Sequence, residues 1–331
     1  MTAESIPARS AQAVARGARG GGHLAFWGGA AILCVVLVAG FRMLGNEYAW
    51  FAGYFILQYV VLATAWNILG GYAGYVNFGA AGFMAVGAYA TVALRKAFGL
   101  DLLPCIAAGA VIGGLVGLGT GYLTLRLRGV YFAIATLSLA VLLHTVVVNW
   151  SYVGGSRGAY VIRPQSVEPF VSYGEYLFVV MLALSVLAVG IARGIEVSRL
   201  GMGLAALRDD ERAAEAAGVP TLRLKLVATT LSGALMAVAG APLPHYAGYL
   251  NPEAAFGLAY SVNAIAMPLI GGAGTWLGPV IGAVLLGSLQ QGATVTISSA
   301  ANLLIVGVVM VVFVVAAPRG IMGLLRKGPH R

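Results

Sequence analysis

Apolar residues run along this chain in blocks of about twenty, separated by short polar connections. Ten such blocks can be marked, at residues 24–44, 48–69, 72–94, 102–124, 129–149, 174–192, 224–242, 254–272, 276–296 and 300–317. A helix rises about 1.5 Å per residue, so about twenty residues match the roughly 30 Å of a bilayer's hydrocarbon layer. The pattern predicts an all-α polytopic membrane protein of about ten transmembrane helices. The third and ninth blocks are rich in glycine and are candidates for broken or re-entrant segments.

One polar island interrupts the pattern, at residues 193–225. It holds eleven charged side chains, out of 20 basic and 11 acidic residues in the whole chain. A charged segment of that length must stand in water on one side of the membrane. Ala205, Ala206, Ala213, Ala214, Ala216 and Ala217 favour a short helix there. Arg208 with Glu211, Asp209 with Arg212, and Arg212 with Glu215 are opposite charges three residues apart, a spacing that puts each pair on one helix surface. Gly218 and Pro220 signal its end. A solvated helical loop and a helix that docks into a partner's cleft both fit these residues.

With ten crossings and the island inside, both termini fall inside. Fifteen Lys and Arg residues then lie on the inner side and five on the outer, the bias expected of a cytoplasmic inner face. Unless another segment compensated, a re-entrant third block would invert every later loop. Residues 1–23, with Arg9, Arg16 and Arg19, read as a disordered basic tail, and residues 318–331 as a second cytoplasmic tail. The block at 24–44 is too long for a signal peptide and no small-residue cleavage site follows it. The domain reading is therefore a tail at 1–23, one membrane domain at 24–317 carrying the island, and a tail at 318–331.

Composition agrees. Hydrophobic residues make up 60% of the chain and charged residues 9%, against about a quarter charged in soluble domains. The net charge of +9 is spread over span ends with no basic, aromatic-interleaved patch, so it gives no reason to expect nucleic acid. Cys34 and Cys105 sit in apolar blocks and read as packing residues.

The chemistry that is missing narrows the function. No block carries Asp, Glu, Lys or Arg near its middle, which lowers ion-coupled transport. No phosphate-binding loop of the G-x-x-x-x-G-K-[ST] type is present, so no nucleotide hydrolysis is expected of the chain itself. The histidines, His23, His144, His245 and His330, have no metal-ligand spacing, and a catalytic role is not expected. Neutral polar residues inside the blocks, such as Gln58, Asn67, His144 and Gln290, read by default as interhelical hydrogen-bonding groups.

Two glycine-rich stretches, residues 70–87 and 271–287, echo each other in the two halves. Most of their glycines read as close-packing positions. Their starts, residues 70–74 and 271–274, are dense enough to suggest unwound backbone, which in transporters lies at the binding region. Asn77 and Asn263 lie near these clusters, where exposed peptide groups can meet a polar solute. Gly74, Asn77, Gly79, Asn263, Gly271 and Gly272 are accordingly the candidate substrate-pathway residues.

Five motifs in order carry a family resemblance. They are G-Y-A-G-Y-V-N-F-G-A-A-G-F-M-A-V-G-A-Y at 71–89, L-R-L-R-G-V-Y-F-A-I-A-T-L at 125–137, A-L-R-D-D-E-R-A-A-E-A-A-G-V at 206–219, G-G-A-G-T-W-L-G-P-V-I-G-A at 271–283 and P-R-G-I-M-G at 318–323. Together they resemble the LivM-type permease subunits of bacterial branched-chain amino acid ABC importers. The resemblance implies an inner-membrane permease paired with a second homologous permease, two cytoplasmic ATPases that bind the ATP, and a periplasmic solute-binding protein. It implies that Arg208, Asp209, Glu211, Arg212, Ala214, Glu215, Ala216 and Gly218 form the cytoplasmic coupling helix. The chain departs from the family at Asn77-Phe78-Gly79-Ala80, where Ser-Leu-Gly-His is frequent, and at Asn263, where Glu is frequent. These departures leave the solute open among branched-chain and other amino acids, an amide, urea or an aromatic acid. A stand-alone facilitator or channel is the alternative reading, against which the long polar hook argues.

Overall fold

The computed structural model describes residues 8–124, 127, 129–163, 167, 168, 170–296, 304, 307–309, 311–313 and 320–325. Most of the block at 300–317 lies outside these. The chain divides into two units, Met1–Ala49 and Trp50–Arg331. In the first, α1 runs Ala8–Leu44. The backbone from Ala8 is therefore helical where the composition predicts a disordered tail, in keeping with the helix propensity of its alanines and arginines. Gly45, at φ +59°, turns the chain, and the Asn46 side chain accepts the Tyr48 N–H at 2.9 Å to open α2 (Glu47–Asn67).

The second unit is a bundle. After α2 come α3 (Ala80–Phe98), α4 (Leu102–Thr124), α5 (Val130–Val148), β1 (Ala159–Tyr160), α6 (Tyr173–Glu196), α7 (Arg199–Asp209), α8 (Glu211–Ala216), α9 (Thr221–Gly240), α10 (Leu243–Ala247), β2 (Tyr249–Leu250), α11 (Pro252–Ala255), α12 (Leu258–Gly271), α13 (Gly278–Thr296) and α14 (Gly320–Leu325). Among the described residues seven stretches are long and apolar enough to cross a membrane: Ala25–Met43, Glu47–Tyr72, Leu102–Thr124, Val130–Val148, Tyr173–Glu196, Thr221–Ala247 and Pro252–Gly271. The two glycine-rich blocks are not among them. Both nevertheless form helices of 19 residues, α3 and α13.

The bundle has an island end and a far end. At the island end Tyr72 Oη donates to Ala192 O of α6 at 3.2 Å. At the far end Arg95 of α3 meets His245 at 3.1 Å and Ile162 O at 3.3 Å, and Arg163 donates to Tyr246 O at 2.5 Å. There the connection after α5 closes on the turn after α10 as a two-stranded antiparallel ladder, with Ala159 opposite Leu250 and Tyr160 opposite Tyr249. Ala159 and Tyr160 of that connection are held by backbone pairing.

Glycine makes the helix seams. Along α4, Gly109, Gly113, Gly117 and Gly121 recur every four residues; the last three face α9, and Gly109 faces Ala241 just past its end and Gly87 of α3. A Cβ on Gly113 would sit 2.7 Å from Gly233 O, and one on Gly117 2.5 Å from Thr229 O. Cβ atoms on Gly87 and Gly240 would overlap the Ala237 and Met84 carbonyls, so α3 and α9 also cross backbone to backbone. Gly117→Leu is expected to cost about 1–3 kcal/mol or more through overpacking. The yield of monodisperse protein after detergent extraction should fall several-fold. Gly119→Leu, where a Cβ meets nothing within 4 Å, should leave that yield unchanged.

Neutral polar groups inside the bundle bond across helices. Gln58 donates to Ala239 O at 3.0 Å, Ser232 to Ala65 O at 2.8 Å, and Ser185 to Leu57 O at 3.1 Å. Leu115, Leu118, Val141 and Leu142 on α4 and α5 are exposed, as a hydrocarbon-facing surface requires.

Candidate functional site: two backbone breaks and a polar helix pair

The helical ladder fails at the start of each glycine-rich stretch. After α2 the chain makes a π turn, Ile68–Tyr72, then runs without helix through residues 73–79. Gly74, at φ +77°, supplies a conformation that a side chain disfavours. The second break covers residues 272–277, between α12 and α13, with Gly272 at φ +122° and Gly274 at φ +79°.

Unwound backbone inside a bundle needs hydrogen-bond partners, and here side chains supply them. In the first break Asn77 Oδ1 accepts Gly79 N–H at 2.7 Å, Thr136 Oγ1 accepts Phe78 N–H at 3.1 Å, and Asn77 O accepts Trp66 Nε1–H at 2.8 Å. Ser261 Oγ takes the Ala81 N–H of the first turn of α3 at 3.0 Å. Thr136 lies six residues into α5 and Ser261 ten residues before the end of α12. At 1.5 Å per residue this segment therefore climbs about 9–15 Å into the bundle before the helix resumes.

The second break stays at the island end. Asn67 stitches it to the first: its Oδ1 accepts Gly274 N–H at 3.0 Å and its Nδ2 donates to Thr275 O at 3.0 Å. A Cβ on Gly71 would lie 2.7 Å from Gly274 N, so the two breaks touch. Gly271 packs on Gly278, and Gly272 packs on Met322 of α14. Glu196 at the end of α6 accepts Trp276 N–H at 2.6 Å and Tyr72 Oη–H at 3.4 Å, and Arg193 lies 5.6 Å from the Trp276 ring centroid.

The island is two helices rather than one. Asp210, at φ −158° and ψ 111°, ends α7 and caps α8, accepting the N–H groups of Arg212 at 2.8 Å and Ala213 at 3.1 Å. Ser198 caps α7, and Gly218, at φ +82°, closes α8. The kink redirects the charges that a single helix would have paired. Arg208 Nη1 donates to Gly71 O at 3.2 Å, and Gly74 packs against its side chain. Glu211 is largely buried, accepts Tyr75 Oη–H at 2.8 Å and pairs with buried Lys225. Lys225 also lies 5.0 Å from the centroid of the Tyr75 ring. Asp209, Arg212, Glu215, Ala213, Ala216, Ala217 and Gly218 are exposed. Glu215 accepts the Thr221 hydroxyl at 2.7 Å, so it also braces the turn into α9.

Of the predicted pathway residues, Gly74, Gly271 and Gly272 thus gather at the island end, and Asn77 and Gly79 lie deeper. Asn263 is buried on α12, donating to Tyr59 Oη at 2.9 Å and accepting from Gln290 Nε2 at 3.0 Å. A cleft of about 500 Å³ opens at the far end beside Arg95, Lys96, Tyr152 and Tyr160, and none of these six residues lines it. Tyr75, Glu196 and Lys225 were not singled out in the sequence. The island's charge marks it as a whole and does not reveal which of its groups turn inward.

The fold and site define a polytopic helical membrane protein with two breaks in its helices bound to a polar helix pair. Residues 49–314 match the family described as branched-chain amino acid transport system / permease component, and the chain belongs to that family. The high-affinity branched-chain amino acid transport system permease protein LivM of Salmonella typhimurium is 28% identical over 293 residues, 81% of this chain and 68% of that protein. LivM of Escherichia coli is 27% identical over the same shares. The permease protein LivH of Escherichia coli is 27% identical over 146 residues, 44% of each chain. No solved structure gives a significant match.

Proposed function

We propose that this chain is the membrane-spanning permease subunit of an ATP-driven importer for branched-chain or chemically related amino acids. ATP is bound and hydrolysed by two separate cytoplasmic ATPases, and a periplasmic binding protein delivers the solute. A second, homologous permease completes the pathway; one organism, Escherichia coli, holds both a LivM and a LivH relative of this chain. Ten crossings of a bacterial inner membrane place both termini and the island in the cytoplasm.

The observation that carries this reading is the outer face of α8. Arg212, Glu215 and Gly218 surround exposed Ala213, Ala216 and Ala217, small side chains that let a partner's surface approach closely while the charges set its register. Asp209 flanks that face. The pathway runs past the unwound backbone of Asn77 and Gly79, and Gly74, Gly271, Gly272 and Asn263 shape it. Reconstitution tests this. In liposomes the chain alone should hydrolyse no ATP and pass little leucine, isoleucine or valine. With the second permease, the ATPases and the binding protein, uptake should become ATP-dependent. Rapid ATP-independent flux through the chain alone would instead make it a channel.

A further inference from the structure

Two charged residues of the island reach back to the bundle: Glu211, which is largely buried, and Arg208, which stays part exposed and lies 3.6 Å from Asp209. Arg208 and Glu211 both end on the first break. Arg208 Nη1 donates to Gly71 O at 3.2 Å, its aliphatic stem packs on Gly74, and Glu211 accepts the Tyr75 hydroxyl at 2.8 Å. Only a few residues further on, Asn77, Phe78 and Gly79 are non-helical backbone inside the bundle, held by Thr136 and Trp66. A non-helical segment lacks the ladder that makes a helix move as a rod, so a pull on Tyr75 shifts its own peptide groups first.

We propose that Arg208, Glu211 and Tyr75 are positioning residues that tie the helix pair α7–α8 to the 73–79 segment, so that displacement of the pair is delivered to the unwound backbone at the pathway. This rests on the docking role of α8 proposed above and adds the route by which the force enters the bundle. Arg208 reaches the second break as well: a Cβ on Gly274 would lie 2.9 Å from its Nη1. One guanidinium therefore sits where both breaks meet, and Asn67 locks them together behind it. The outward residues grip the partner, and the inward residues hold the load.

The test uses the complete importer in proteoliposomes, comparing the wild-type chain with Tyr75→Phe, Arg208→Gln and their double variant. Tyr75→Phe removes one oxygen and keeps the ring under Lys225, so folding is preserved. ATPase association and ATP hydrolysis should stay within about twofold. Leucine moved per ATP hydrolysed should fall by about tenfold or more in the double variant and less in each single one. A ratio unchanged in the double variant, with ATP-driven uptake intact in the wild type, would overturn the tie while leaving the permease reading standing. Absence of ATP-driven uptake in the wild type would instead overturn the permease reading. A second measurement needs no destabilising variant. Spin labels at Val76 and Asp209 should keep one separation between nucleotide-free and ATP-trapped states, while the separation from Val76 to Trp150 at the far end changes. The reverse pattern would also overturn the tie.

Discussion

Lys225→Ala is expected to destabilise the protein by roughly 3–5 kcal/mol, because it leaves the Glu211 carboxylate buried without its cation. The side chains of Lys225 and Glu211 are only 7% and 10% exposed, so water cannot take the lost partner's place. Lys225 is the fifth residue of α9 and Glu211 the first of α8, so the pair closes the island back onto the bundle. Unfolding in mixed micelles should show the loss directly. Replacing both residues with leucine removes the unpaired charge together with its partner, and most of the stability should return. If Lys225→Ala and the double variant unfolded alike, the pair would not be holding α8.

Ala216→Trp should abolish association with the ATPase subunits, by at least tenfold in co-purification, while the amount of folded protein in the membrane stays the same. Ala216 is exposed on α8, so an indole there disturbs nothing within the chain and blocks only what would lie against it. Ala216 is a cleaner probe than the neighbouring acid. Glu215→Arg would break the bond to Thr221 and mix a folding defect with a docking defect. Unchanged co-purification with Ala216→Trp would show that the small-residue face is not the partner's seat.

The long-range pattern was legible because its cause is local. Seven of the apolar blocks are long and apolar enough to span among the described residues, and glycine density at residues 70–74 and 271–274 marks the places where the ladder fails. Three features were not legible. Asp210 stands amid good helix formers, and its capping of α8 depends on ψ at one residue, so the island read as one helix and the pairs Arg208–Glu211 and Asp209–Arg212 were drawn across what is a kink. The side-chain partners of Asn77 and Asn263 are a second such feature: Asn77 caps its own break, and Asn263 bonds Tyr59 and Gln290. Which group a polar side chain meets is decided by depth and register between distant helices, and periodicity carries neither. The depth of the first break followed the same rule: nothing in residues 73–79 alone says that they climb beside Thr136.

On this proposal, a bundle whose sequence carries no nucleotide-binding loop is driven through one polar helix pair. The most direct measurement places a photo-crosslinking amino acid at position 216, and separately at position 160 on the far end, in cells making the whole importer. Crosslinking at position 216 to a subunit carrying a phosphate-binding loop, with none to that subunit from position 160, is the predicted result. No capture of that subunit at position 216, or its capture at position 160, would contradict the account.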